Sequence, residues 1–197
     1  MESPQLFTTI PVVNDHAEDD ALEREQALVE SAKHDPAAFA TLYEQYFPAV
    51  YRYLRMRARQ PEDAADLAQY VFLKALDALP RYQARSAPFV AWLFTIARHA
   101  LIDRYRRHPS TISLDAAAKL VTDQEVEADV LLNETYARLA ELLDALDSDA
   151  RDLLALRFAA GLSAPEIAAI IGKRPEAVRK QLSRLLQSLK ERYHATR

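Results

Sequence analysis

The chain contains no cysteine and only two glycines in 197 residues. Without thiols it forms neither disulfides nor thiolate metal sites, and it suits a reducing compartment. Its longest uninterrupted apolar run, Phe89 to Phe94, is far too short for a membrane span. Met1 to Ile10 is neither basic nor apolar enough for a secretory signal, so the expected location is the cytoplasm, with no membrane partner. Scarce glycine beside abundant Ala, Leu, Glu and Arg favours helices over strands, and an all-α protein is expected.

A net charge of −4 argues against a nucleic-acid binder only until its distribution is read. Residues 1–30 hold eight acids against Arg24, a net of −7, and residues 108–150 hold ten acids against Lys119 and Arg138, a net of −8. Residues 81–107 instead carry six arginines against Asp103, a net of +5, and residues 172–197 carry eight basic residues against Glu176 and Glu191, a net of +6. Two separate basic surfaces are therefore available to a phosphate backbone.

Both glycines fall where a helix must stop. Gly161 and Gly172 punctuate DARDLLALRFAAGLSAPEIAAIIGKRPEAVRKQLSRLLQSL, and glycine enters the left-handed region at a helix C-terminus without a Cβ penalty. Ser163 followed by Glu166 is a capping box, and Pro175 presets the first turn of the next helix. This spacing predicts a helix-turn-helix. In its second helix Val178, Leu182, Leu185 and Leu189 form the apolar stripe, which leaves a small, polar and basic face suited to the DNA major groove. An ordinary helical hairpin with a solvated basic face fits the same pattern.

Further upstream, Asp35-Pro36 predicts a helix start, with Phe39, Leu42, Tyr43, Tyr46, Phe47, Val50, Tyr51 and Leu54 on one stripe. Pro61 opens a second helix with Glu62 and Asp63 in its first turn, and Ala64, Leu67, Ala68, Val71, Phe72, Ala75 and Leu76 are expected on its buried face. After a loop between Pro80 and Pro88, a long helix carries Phe89, Trp92, Leu93, Ile96, Ala97, Ala100 and Leu101 toward the core. Its arginines, beside Tyr82 and Tyr105, combine phosphate contacts with stacking surfaces, as single-stranded DNA binding requires. The expected organisation is an acidic, mobile tail over 1–30 that turns helical from about Asp19, a helical domain over 31–108, an acidic linker over 109–127 and a helix-turn-helix domain over 128–197. Ser148 is expected to cap the helix leading to Gly161.

The runs DAADLAQYVFLKAL at 63–76 and APFVAWLFTIARHALIDRYRR at 87–107, with the helix-turn-helix after an acidic gap, resemble the bacterial RNA polymerase sigma factors of the extracytoplasmic function group. The resemblance covers about residues 31–192 in the family's order. It implies that the helix at 63–76 docks on core polymerase through Asp63, Asp66, Gln69 and Phe72. It also implies that loop and helix from Tyr82 to Arg107 hold the downstream promoter element, opened and with one base flipped, through Tyr82, Gln83, Arg85, Ser86, Arg98, His99, Arg104, Arg106 and Arg107. His99 stands where the family most often has asparagine. Arg174, Glu176, Arg179, Lys180, Ser183 and Arg184 would read the upstream element as duplex, with Arg174 in place of the usual N-cap serine. The acidic linker would thread the polymerase by mimicking nucleic acid. The implied partners are core RNA polymerase, promoter DNA and, in many such factors, an anti-sigma factor.

Two other functions compete. A stand-alone helix-turn-helix regulator would leave the Asp66, Gln69, Phe72 pattern and the arginine helix unexplained. A DNA-processing enzyme would need more than Glu62, Asp63 and Asp66, because no histidine or further carboxylate at ligand spacing completes a metal site. No catalytic residue, metal or cofactor is expected.

Overall fold

The computed structural model describes residues 15–58, 60–84, 87–107 and 138–195. Every regular element among them is helical. In the first unit α1 spans Asp15–Ala32, α2 Pro36–Arg55, α3 Pro61–Ala78 and α4 Phe89–Arg107, with a 3₁₀ turn over Leu79–Arg81. The second unit begins with helical residues 138–144. There follow α5 over Ser148–Leu154, a π turn over Ala155–Ala159, α6 over Ala164–Ile171 and α7 over Pro175–Ala195. The linker at 109–127 lies outside the described residues.

Local chemistry sets the boundaries. Asp35 is extended, its Oδ1 accepts the Ala37 N–H at 2.9 Å, and Pro36 follows at the first helical position. The capping box forms as the spacing predicts: the Ser163 N–H donates to Glu166 Oε2 at 2.6 Å while the Glu166 N–H donates to Ser163 Oγ at 3.4 Å. Gly161 and Gly172 take φ of 76° and 68°, the left-handed conformation that ends a helix cheaply only at glycine. The cap of α5 is one residue earlier than expected. Asp147 Oδ1 accepts the Ala150 N–H at 2.7 Å, which places Ser148 inside the helix.

The first unit closes around Leu42, Val50, Leu54, Val71, Leu93 and Phe94, all fully buried, and an aromatic layer in which Phe72 meets Tyr43 edge-on at 4.7 Å. Each such side chain contributes roughly 1.5–3 kcal/mol by leaving water. In the second unit Leu156, Ile167 and Val178 play the same part, joining the helix-turn-helix to α5. The units also pack on each other, α4 against α6 and α2 against the π turn.

Three expectations shift. The helix expected from about Asp19 starts earlier: α1 begins at Asp15 and lies along α2, because Leu28, Val29 and Ala32 supply an apolar edge and the Tyr46 hydroxyl donates to Glu25. Leu76 is 44% exposed rather than buried, since α3 turns that side away from α2 and α4. Tyr53, off the anticipated α2 stripe, is fully buried against Phe94 at 5.6 Å.

Candidate nucleic-acid and polymerase interface

The helix-turn-helix leaves the whole of its predicted reading face exposed. Val178 and Leu182 are buried, and this fixes the rotation of α7 so that Arg174, Glu176, Arg179, Lys180, Ser183 and Arg184 are all exposed. Residues 176, 179, 180, 183 and 184 follow the three- and four-residue spacing of one helix face. Arg179 Nη2 rests on Glu176 Oε1 at 3.0 Å, an exposed pair worth less than about 1 kcal/mol and readily exchanged for a phosphate or base edge. The turn is steadied by Lys173 Nζ donating to Gln181 Oε1 at 2.9 Å.

The arginine helix α4 is arranged differently. His99, Arg106 and Arg107 are exposed, as is Gln83 in the preceding loop, whereas Arg85 and Ser86 lie outside the described residues. Tyr82 is not a free stacking surface. It is buried against Phe89 and Trp92, and its hydroxyl donates to the Ala87 carbonyl at 2.7 Å, tying the ends of the loop together. Burial, then the charges of Glu25 and Glu30, push this hydroxyl up to about 12, so it stays a donor at every physiological pH. Arg104 pairs with Asp63, one expected DNA contact thus engaging one expected polymerase contact. The Tyr105 hydroxyl donates to the Arg57 carbonyl.

On α3, Asp66 and Gln69 are exposed, but Phe72 is 3% exposed and packed between Tyr43 and Phe47. It positions the helix from beneath instead of reaching outward. The apolar groups that do face solvent here are Tyr70, Leu73 and Leu76. Sequence reasoning passed over Tyr70 and Leu73, although two large apolar residues off the core stripe of a helix are themselves a docking signal.

Sequence reasoning also missed a buried polar cluster where the units meet. Asp152, 6% exposed, accepts from the Tyr53 hydroxyl at 2.7 Å, from Arg98 Nε at 2.8 Å and from Arg57 Nη1 at 3.5 Å. Arg57 donates in addition to the Ser148 carbonyl and hydroxyl oxygens, each at 3.0 Å, and Arg52 Nε to the Ala159 carbonyl at 2.9 Å. Burial and then the Asp152 carboxylate hold the Tyr53 hydroxyl well above its ordinary range. Burial works to lower the Arg98 guanidinium, but its hydrogen bond and attraction to Asp152 prevail and raise it. Removing one member of such a buried set costs on the order of 3–5 kcal/mol, because the remaining charges lose their counterpart. Among the described residues no group of histidines and carboxylates is placed to hold a metal, and no helix is long and apolar enough to cross a membrane.

Comparison with known proteins agrees with this division. The Sigma-70 region 2 family model matches residues 42–111 and the Sigma-70, region 4 model matches residues 136–189. The chain is 37% identical over 185 residues to the ECF RNA polymerase sigma factor SigD of Mycobacterium tuberculosis, covering 86% of this chain and 84% of that one. It is 38% identical over 176 residues to the ECF RNA polymerase sigma factor ShbA of Streptomyces griseus, covering 83% and 92%. Its fold is similar to that of CnrH, solved in complex with the cytosolic domain of CnrY, with a TM-score of 0.63, 26% identity and coverage of 87% and 97%.

Proposed function

The chain belongs to the extracytoplasmic function sigma factors, which bind core RNA polymerase and direct promoter recognition and transcription initiation, and from that premise we propose how its surfaces divide the work. The α7 face from Arg174 to Arg184 reads the upstream promoter element as duplex. Its uniform exposure, at a helix whose opposite side is locked by Val178 and Leu182, is the observation that carries the proposal. Arginine and lysine there make bidentate or phosphate contacts, and Ser183 supplies a short hydroxyl to a base edge.

Core polymerase is met by the exposed side of α3, where Asp66 and Gln69 flank the apolar patch of Tyr70 and Leu73. An apolar centre rimmed by polar groups is the usual anatomy of a protein interface. The opened downstream strand runs along α4, where His99, Arg106 and Arg107 are exposed and the tied loop after Tyr82 offers Gln83 beside the base to be flipped. A helix-turn-helix regulator acting alone would use none of this first unit, to which the region 2 match at 42–111 belongs.

Run-off transcription with core polymerase, with and without the protein, on a library of genomic fragments tests the whole reading. Promoter-specific initiation is expected only with the protein, and its absence removes the proposal. Within the same assay Leu73→Ala and Gln69→Ala should each weaken core association by about tenfold, roughly 1.4 kcal/mol, with the helical signal unchanged.

A further inference from the structure

The side-chain hydrogen bonds described between the two units run one way. Among the described residues the first unit supplies only donors, from Arg52, Tyr53, Arg57 and Arg98, and the second supplies only acceptors, from Asp152, Ser148 and Ala159. Three of those donors converge on one carboxylate, whose two oxygens carry one negative charge. Oδ1 takes the Tyr53 hydroxyl and Arg57, and Oδ2 takes Arg98. A phosphodiester offers the same pair of oxygens and the same charge to such donors.

We propose that Tyr53, Arg57 and Arg98 form a binding site for one backbone phosphate of the opened promoter strand, and that in the free protein Asp152 of the helix-turn-helix unit occupies it. This rests on the reading of α4 as the strand-holding helix. Separating the units leaves two guanidiniums and a hydroxyl, gathered at one place on the first unit, with no anion between them. Those groups then require another acceptor, and the strand lying along α4 presents one at every nucleotide.

The site is open to exchange. A cleft of about 120 Å³ adjoins Arg98 and Asp152, bordered on the second unit by Asp149, Lys173 and Gln181. That is room for several waters, so solvent and small ions reach the pair without prior unfolding. Asp149 adds a further attraction for Arg98, whereas the Lys173 ammonium is taken up by Gln181. Docking the helix-turn-helix on α4 and opening DNA along α4 are thus mutually exclusive uses of one surface. The free chain is closed, and release of Asp152 prepares it for the strand.

The cysteine-free chain permits a direct test. Fluorophores at Glu44→Cys and Lys190→Cys, both exposed and outside the site, report the separation of the units by energy transfer in the full-length protein. A single-stranded oligonucleotide carrying the non-template promoter sequence should lower the transfer in the otherwise wild-type protein, and inorganic phosphate at equal phosphate concentration should not. Asp152→Asn should lower transfer without DNA and raise oligonucleotide affinity by about tenfold. Adding Arg57→Gln should return that gain and reduce the salt slope of binding by about one phosphate contact.

Wild-type protein that stays closed at saturating oligonucleotide overturns the proposal, and this arm needs no variant to fold. Opening by inorganic phosphate alone overturns the assignment to the strand. An open Asp152→Asn protein whose DNA affinity and salt slope ignore Arg57→Gln reduces the cluster to a plain tie between units. Failure of the wild type to initiate transcription with core polymerase marks the separate failure of the sigma-factor surfaces assigned above.

Discussion

The two helices proposed to face the promoter differ in how much of their polar surface is already engaged. On α7 every anticipated contact is exposed, and the ion pair of Arg179 with Glu176 is local and weak. On α4 Arg98 is held by Asp152, Arg104 by Asp63, and the tyrosine before it is spent on closing a loop. A helix that reads duplex DNA can wait fully formed, because the duplex presents its groove edges unaided. A surface for an opened strand has no ligand until the duplex melts. Left bare, Arg98 and Arg104 would gather other partners, and internal acids prevent that while Arg106 and Arg107 stay exposed.

The largest break in this comparison comes from stripping the ready side. Arg179→Ala with Lys180→Ala should lower binding of an upstream-element duplex by holoenzyme about 10- to 100-fold, roughly 1–3 kcal/mol, while open-strand binding by α4 is unchanged. A filter-binding or anisotropy titration at two salt concentrations measures both the loss and the shallower slope. If the double variant bound as the wild type does, α7 would be merely a solvated helix.

A smaller effect is expected from Asp63→Asn. Its pair with Arg104 is more than a third exposed on each side, so stability should fall by less than about 1 kcal/mol, and freeing Arg104 should strengthen strand binding two- to fivefold. Loss of core-polymerase affinity with unchanged strand binding would instead give Asp63 to the polymerase.

The smallest effect concerns α1. Burial, and then the charge of Glu166, raise the Glu25 carboxyl above its ordinary value of 4.5. A raised carboxyl favours the folded state when protonated, so its stabilisation is complete below 4.5 and is lost as pH rises through the folded value. Glu25→Gln should therefore stabilise the protein at pH 7, by less than about 1 kcal/mol because the group is half-exposed, with no gain near pH 4. Thermal unfolding at the two pH values checks the sign.

What the sequence disclosed was local. Gly161, Gly172, the Ser163–Glu166 box and Asp35-Pro36 act within four residues of themselves, and each folds as its chemistry dictates. The exposed face of α7 was legible for the same reason, since one apolar stripe fixes the opposite side. The Asp152 cluster was hidden because its partners lie 54 and 99 residues away at Arg98 and Tyr53, a distance no periodicity spans. Phe72 shows a subtler limit: a residue within a docking motif can serve from the core, and only the packing of α3 on Tyr43 reveals it. Asp147 displaced Ser148 as a cap because two capping residues in succession are locally equivalent.

The π turn between α5 and Gly161 bears on chain length. The Ala160 N–H reaches back five residues to the Ala155 carbonyl at 3.0 Å, so this turn holds one residue more than an α-helical turn. Deleting any one of residues 155–159 would restore ordinary winding and rotate all that follows by about 100° relative to α5. The Ala159 carbonyl would leave Arg52, and the helix-turn-helix would face another direction. A substitution at the 60% exposed Phe158 leaves this winding intact whereas its omission does not, a constraint on length that no side chain in the segment betrays.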